Sequence, residues 1–475
     1  MESRKAGTGC GGLRRALIVL CALGAGGAHS ATFVVNSLDD LHDASPGDAI
    51  CETLTGGGVC TLRAAVEEAN ALAGADVIKL GSGTYHLTQY VTLDSAPAEL
   101  VISDDVSIEG TGQPNTFIDG NNLGQRVFYL PELIGGAEGT TELVVSMAWL
   151  SIVNGNGPVD DNVDHGRGAG VANHAHLTLD HVTVSGNSVH GVGGGLYNTD
   201  TGSLHLTNSF VSSNTALAGG GIANMGAMSI DKSTIDDNSL YTIYGTGAGI
   251  YLDVTAATEI RNSTISHNKT STSGDGGGIY NKGALLLVDD TISGNFANNG
   301  GGIYNDGGNC SIYNATVSAN YANEPYPFNS NGHGGGIGNS VAGTVTLTNS
   351  IVAGNFAVIF GMIYSTTVGD ECVGIITSLG YSIVQAVDAA HCTVNGSYST
   401  ADPLLWPLEH VGGLTKTHAI TPGSAALDAG NPSGCKVDNT QITSDQRGYT
   451  RPYGAACDIG AFEYTELIFA DGNEI

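Results

Sequence analysis

From about residue 165 the chain alternates short apolar runs with glycine- and asparagine-rich punctuation, and the runs recur. One is a glycine turn feeding a strand: Gly170-Val171-Ala172-Asn173, Gly195-Leu196-Tyr197-Asn198, Gly221-Ile222-Ala223-Asn224, Gly249-Ile250-Tyr251-Leu252, Gly278-Ile279-Tyr280-Asn281, Gly302-Ile303-Tyr304-Asn305 and Gly336-Ile337-Gly338-Asn339. A second is a strand that closes on Asn187, Asn214, Asn238, Asn268, Asn295, Asn320 and Asn355, at spacings of 24 to 35 residues. Two interleaved motifs keeping one variable period are the mark of a stacked solenoid. Between them lies a third alternating run, such as Leu177-Thr178-Leu179, Leu204-His205-Leu206, Met228-Ser229-Ile230 and Val345-Thr346-Leu347.

Each unit thus holds three short strands rich in Val, Ile, Leu and Thr, separated by Gly, Asn, Asp and Ser turns. That density of glycine and β-branched residues excludes helical repeats. Three strands per unit predict one triangular coil, with alternate side chains inward and successive coils paired in parallel. The expected fold is therefore all-β, a right-handed single-stranded parallel β-helix of the pectate-lyase-like kind. Looser strands at Asp76 to Leu80, Leu100 to Ile102, Val106 to Ile108 and Leu143 to Val145 read as the first coils. The recurrent asparagines are expected at a bend where a left-handed residue is tolerated, each amide bonding its equivalent one coil away. The glycine triplets serve close backbone approach and need no phosphate to explain them.

A solenoid must cover its open ends. The spacing Leu62, Ala65, Val66, Ala69 predicts a short amphipathic helix from Thr61 that plugs the first coil, and the atypical C-terminal segment is expected to close the other end. The resulting organisation is a signal peptide over 1–30, an N-terminal cap over 31–75, the β-helix over 76–400, a disulfide-bearing C-terminal region over 401–464 and a tail over 465–475.

The leader begins with Arg4, Lys5, Arg14 and Arg15, runs through apolar Ala16 to Leu23, and ends on small Ala28 and Ser30, which is the plan of a secretory signal. No later segment is long and apolar enough to span a bilayer as a helix. The formal net charge of −30 argues against nucleic acid as a partner. Beyond the leader, local pairing predicts disulfides Cys51–Cys60, Cys372–Cys392 and Cys435–Cys457, with Cys310 left as a buried thiol. An extracellular or cell-surface location follows.

The N-terminal segment from Gly47 through Cys60-Thr61-Leu62-Arg63-Ala64-Ala65 to Ala71 resembles the CSLREA domain, with Thr61 in place of Ser and Ala64 in place of Glu. The C-terminal segments Gly412 to His418, Pro422 to Gly430, Asp445-Gln446-Arg447-Gly448 and Cys457 to Glu463 resemble a choice-of-anchor Q domain. The central coils are similar to the repeats of polymorphic outer-membrane proteins. Together these resemblances imply an exported bacterial envelope or extracellular β-helix, and they imply no one activity.

Chemistry must be argued from residues, because the fold alone confers none. Polysaccharide cleavage of the lyase type needs calcium-binding carboxylates beside an Arg or Lys base. Bases are few in the coils: Arg167, Lys232, Arg261, Lys269 and Lys282. Carboxylate pairs occur at Asp160-Asp161, Asp236-Asp237 and Asp289-Asp290, so Asp236, Asp237, Asp289 and Asp290 with Arg261 are the candidate catalytic set. Turn capping is the competing role for those aspartates. No organic cofactor is implied, and Ca2+ is the ion that acidic turns would suit. Tyr197, Tyr251, Tyr280 and Tyr304 share one repeated position and form a candidate sugar-binding row, with a structural ladder as the competing reading. The insertion from Ala322 to Gly334 is the candidate binding loop. Two functions stand: a non-catalytic scaffold that binds an extracellular glycan or another cell-surface component, or a polysaccharide lyase or glycoside hydrolase.

Overall fold

A computed structural model describes residues 30–89, 98–132, 142–157, 166–271, 273–323, 332–360 and 365–465. The expected signal peptide, the Asp160-Asp161 pair, residues 324–331 of the insertion and the tail after Thr465 lie outside the described residues. The chain forms a parallel β-helix whose three expected strands per coil stack into three sheets, and several coils add a fourth short strand after the second sheet, where Thr215–Ala216 pairs with Ser239–Leu240 and Phe296–Ala297, Tyr321–Asn323 and Phe356–Phe360 stack in turn. In the first, the inward positions Leu204, Met228, Thr258, Leu285, Cys310 and Val345 fall in register. In the second, Val211, Ile235, Ile265, Ile292, Val317 and Val352 do the same. The third stacks Ile222, Ile250, Ile279, Ile303 and Ile337. All of these are buried, and burying each Ile or Leu side chain contributes about 1.5–3 kcal/mol. Cys310 is part of that column, where burial pushes its thiol up to about 12, so it is an inert core residue.

The corner between the first and second sheets is a single left-handed residue in each coil: Trp149, His181, Asn208, Lys232, Asn262, Asp289, Asn314 and Asn349, with φ from 47° to 60°. The next residue carries a second device. The backbone N–H of Val182 donates to Ser209 Oγ, that of Ser209 to Ser233 Oγ, that of Ser233 to Ser263 Oγ, and that of Ser263 to Asp290 Oδ1, at 2.8 to 3.1 Å.

After the second sheet runs the asparagine ladder. Each Nδ2 donates to Oδ1 one coil on, from Asn187 through Asn214, Asn238, Asn268, Asn295 and Asn320 to Asn355, at 2.9 to 3.0 Å. The same Oδ1 accepts the backbone N–H of the preceding coil's asparagine, and the second Nδ2 hydrogen reaches a carbonyl one coil back, as Asn268 does to Ile235. The expected position of the left-handed residue is corrected here. Positive φ falls one residue earlier, on Gly186, Ser213, Asp237, His267, Gly294, Ala319 and Gly354. That residue reverses the chain, which frees the asparagine to aim both its amide and its N–H along the axis. The ladder ends on Glu371, whose carboxylate accepts from the N–H groups of Gly354 and Asn355 and from Asn355 Nδ2 at 2.6 Å. A shorter asparagine ladder follows the third sheet, linking Asn173, Asn198 and Asn224, then Asn281, Asn305 and Asn339.

The α-helix Leu62–Ala71, α1, is capped by Thr61 Oγ1 accepting from Ala64 N at 3.1 Å. Its buried Leu62, Ala65, Val66 and Ala69 join the core beside the first strands, Thr32–Val34 and Asp76–Lys79. Arg63, also buried, is held by Asp40 at 2.6 Å. All three expected disulfides form. The described part of the C-terminal region, as far as Thr465, departs from expectation, because it does not lie over the end of the solenoid. It lies along the side, over the second sheet: Lys416 O and Gln446 meet Thr264, Thr417 and Gln446 meet Thr291, His418 meets Ser293, and Ala461 N donates to Thr316. The outward threonines of these coils supply the hydrogen bonds that draw it there.

Replacing Asn268 by Ala is expected to lower unfolding stability by about 2–4 kcal/mol, since the N–H of Asn238, Ile235 O and Asn295 Oδ1 all lose partners in the interior. Urea denaturation followed by circular dichroism checks this, with the exposed Val341→Ala change expected to move the midpoint little.

Candidate functional site

With the second sheet covered at Thr264, Thr291, Ser293 and Thr316, the first sheet presents an outward face among the described residues. Its strands Ser203–Thr207, Ala227–Asp231, Ala257–Arg261, Ala284–Val288 and Asn309–Tyr313 alternate inward apolar with outward polar positions. Register brings His205, Ser229, Glu259, Leu286 and Ser311 into one outward column. Together with Tyr313, Asp438 and the exposed small side chains Ala227, Ala257 and Ala284 they line a groove of 520 Å³. His205 Nδ1 is 2.6 Å from Ser229 Oγ, and Tyr313 OH donates to Asp438 Oδ1 at 3.0 Å, which fixes one wall from the C-terminal region. Glu259 is paired with Arg261 two residues on. The groove therefore presents hydroxyls, an imidazole, carboxylates and a phenol ring together with Leu286 and the exposed alanines.

The candidate catalytic residues do not converge. Arg261 stands at the rim of the groove and is engaged by Glu259. Asp236 lies on the second sheet, accepting from Ser266 Oγ at 2.7 Å and facing His267 Nδ1 at 2.8 Å. Burial raises the Asp236 carboxyl, but its hydrogen bonds to His267 and Ser266 outweigh that and hold it below the usual carboxylate range. Asp237 is the exposed left-handed residue before the ladder. Asp289 and Asp290 are buried. Asp290 takes the serine-ladder position, binding the N–H groups of Ser263 and Val288. Asp289 is the left-handed corner residue and receives Arg451 Nη1 at 2.7 Å. The proposed grouping of these aspartates with Arg261 is thus corrected: two bind backbone or a buried guanidinium, and the rest lie on different faces. Among the described residues, no three His, Cys, Asp or Glu side chains gather as a metal-binding group.

The tyrosine row is partly continuous. Tyr251, Tyr280 and Tyr304 stack at 5.6 to 5.8 Å between ring centroids, with planes 10° and 24° apart. Tyr197 stands apart, because Ala223 occupies the intervening coil. Stacking turns the ring faces toward one another and leaves edges outward. Tyr280 OH donates to Asp306 at 2.7 Å, and burial pushes the Tyr251 hydroxyl up to about 12. The other coil bases are also occupied: Lys282 lies 3.9 Å from Asp306, Lys232 3.8 Å from Asp231, Lys269 over Phe296 and Arg167 over Tyr197. Of the insertion, His333 is described, facing Asp370 at 3.3 Å and stacking on His391.

The C-terminal segments singled out in the sequence build a buried charge network. Asp445 holds Arg447 at 2.7 Å, Arg451 bridges Glu463 at 3.0 Å and Asp289, and Gln446 spans Thr264, Thr291 and Thr415. His205, Ser229, Glu259, Ser311, Tyr313 and Asp438 carry no motif. Their only signal was the outward position in each alternating run, as in Leu204-His205-Leu206.

No protein-family model matches the chain, and no curated protein matches it. Among solved structures, the crystal structure of pectate lyase Pel9A is similar with a TM-score of 0.47 at 14% identity, over 92% of this chain and 98% of that one. Geobacillus virus E2 ORF18 is similar with a TM-score of 0.20 at 11% identity, over 58% and 52% of the two chains.

Arg451→Met leaves Asp289 and Glu463 buried without a counter-charge, and is expected to cost about 3–5 kcal/mol. Limited proteolysis of the C-terminal region should accelerate accordingly. Burial pushes Glu371 up to about 7 from an ordinary 4.5. Its folded form therefore holds a proton more tightly than the unfolded chain, and its contribution to stability is full below about pH 4.5 and is lost as pH rises through about 7. Thermal melts across that window should show Glu371→Gln gaining on the wild type as pH rises, by about 3 kcal/mol over the full span.

Proposed function

We propose that this chain is an exported envelope or extracellular β-helix scaffold that binds glycan along the first-sheet groove without turning it over. The observation that carries this reading is the outward column His205, Ser229, Glu259, Leu286, Ser311 with Tyr313, flanked by exposed Ala227, Ala257 and Ala284. Successive coils lie about 4.8 Å apart, so a polymer laid along the axis meets a new outward side chain at each coil. Binding is favoured over cleavage because Asp236, Asp289, Asp290 and Arg261 are engaged by other partners and do not converge. The three disulfides fit an oxidising compartment. The resemblance to CSLREA and choice-of-anchor Q domains supports the same envelope or extracellular setting, and the leader supports export.

A lyase or hydrolase reading rests on one feature, the Glu259–Arg261 pair at the rim of the groove. Both readings are tested on residues 31–475 with immobilised glycans and with soluble polyuronates and neutral glycans plus calcium. The expected result is retention without new reducing ends or unsaturated product. Tyr313→Ala and His205→Ala should each weaken retention about 5- to 30-fold, the effect of losing about 1–2 kcal/mol. Turnover abolished by Arg261→Ala would replace the binding reading with the enzymatic one.

A further inference from the structure

The leading residue of the first-sheet strand changes character along the prism. Register aligns His176, Ser203, Ala227, Ala257 and Ala284 at that position in five successive coils. The three alanines are exposed and line the groove. Ser203 therefore stands at the N-terminal end of the groove, on the same strand as His205 and one coil before Ala227.

His176 Nδ1 is 2.5 Å from Ser203 Oγ, and His176 Nε2 meets a carboxylate oxygen of Glu142, two residues before the strand Val144–Val153 of the preceding coil. A carboxylate only accepts, so the proton between Glu142 and the imidazole sits on Nε2. Nδ1 then carries the lone pair, and the Ser203 hydroxyl donates to it. Ser203 is 9% exposed, whereas the side chains of His176 and Glu142 are 40% and 80% exposed. The hydroxyl–imidazole bond is thus screened from water, and the neighbour of Ser203 on the groove side is only the methyl group of Ala227. A carboxylate, an imidazole and a hydroxyl linked in that order are the parts of nucleophilic acyl transfer, which is recognised by geometry and not by position in the chain.

We propose that Ser203, His176 and Glu142 form a hydrolytic site that removes ester-linked acyl groups, such as acetyl, from a glycan lying in the groove. The glycan as carrier of the ester rests on the binding reading above; the serine chemistry does not. Ser203 Oγ bonds to the acyl carbon as its proton passes to His176 Nδ1, and the alcohol oxygen leaves with that proton when the ester C–O bond breaks. Water then bonds to the acyl carbon while His176 takes its proton, and the acid departs as that proton returns to Ser203 Oγ. Glu142 is a positioning residue that holds the imidazole in the accepting tautomer. His205 lies two residues after Ser203 on the same outward face, and with its Nδ1 engaged by Ser229 Oγ, its Nε2–H is the donor assigned to the developing oxyanion. The glycosidic chain is left whole, so this chemistry accompanies retention of the polymer.

Residues 31–475 should hydrolyse p-nitrophenyl acetate, release acetate from acetylated xylan, and take one fluorophosphonate adduct, located on Ser203 by mass spectrometry. Ser203→Ala should abolish the adduct and lower kcat for p-nitrophenyl acetate about 100-fold or more. Glu142→Gln should lower kcat with KM little changed and displace the pH–rate profile, which loss of a merely structural contact would not do. Absence of both adduct and ester turnover would overturn the proposal, as would turnover that survives Ser203→Ala. Turnover of p-nitrophenyl acetate without acetate release from the polymer would uphold the serine chemistry and overturn the glycan as its substrate. The adduct on the wild-type protein is readable even if a variant fails to fold.

Discussion

Everything else in this molecule depends on the asparagine ladder at the corner between the second and third sheets. An unpaired amide at that depth would cost several kcal/mol in lost solvation. From Asn214 to Asn355 each ladder asparagine is instead saturated, with two donors and a doubly accepting oxygen engaged, as at Asn268. All the amides point the same way along the axis, so each bond polarises the next. The ladder also fixes register, because a coil shifted by one residue would put a flanking residue such as Asp237, His267 or Lys269 where the amide belongs and break its bonds to both neighbouring coils. Its termination shows the same logic, with Glu371 replacing asparagine and supplying two oxygens to the final N–H groups.

The second consequence of regular stacking is a division of labour between faces. Outward threonines and serines on the second sheet are hydrogen-bonded by the C-terminal region, and a buried guanidinium, Arg451, ties that region to a corner aspartate. The first sheet keeps its outward column open, apart from the wall that Asp438 contributes. The covering region thus fixes which face of a nearly uniform prism is available, and helps to shape the groove on it.

The fold was legible because the same inward column must be filled in every coil, which writes a period into the sequence that no loop variation erases. The disulfides were legible for a related reason: their partners sit 9, 20 and 22 residues apart, so proximity along the chain approximates proximity in space. Asp289 and Asp290 were not. The partner that defines Asp289 is Arg451, 162 residues on, and the ladder that absorbs Asp290 is built elsewhere from serine. The left-handed corner was also hidden, since Trp149, His181 and Lys232 occupy it beside the more usual asparagines. The groove escaped notice because an outward Ser or His on a strand looks like any solvated position until neighbouring coils align it.

Length variation in this chain is confined to particular corners. The segment between Leu240 and Gly247 is longer than its counterpart between Ala216 and Gly219, yet Ala218, Thr246 and Asp275 still bridge in register on its far side. The glycines that follow explain why: a side chain at Gly194 or Gly220 would collide with backbone oxygens of the adjoining coil at 2.4 to 2.6 Å, so the return into the third sheet is clamped whatever precedes it. The corner therefore works as a ruler. Segments that leave the prism there are held at whole-number multiples of one coil rise, and their separation is set by counting coils, whatever their own length or sequence.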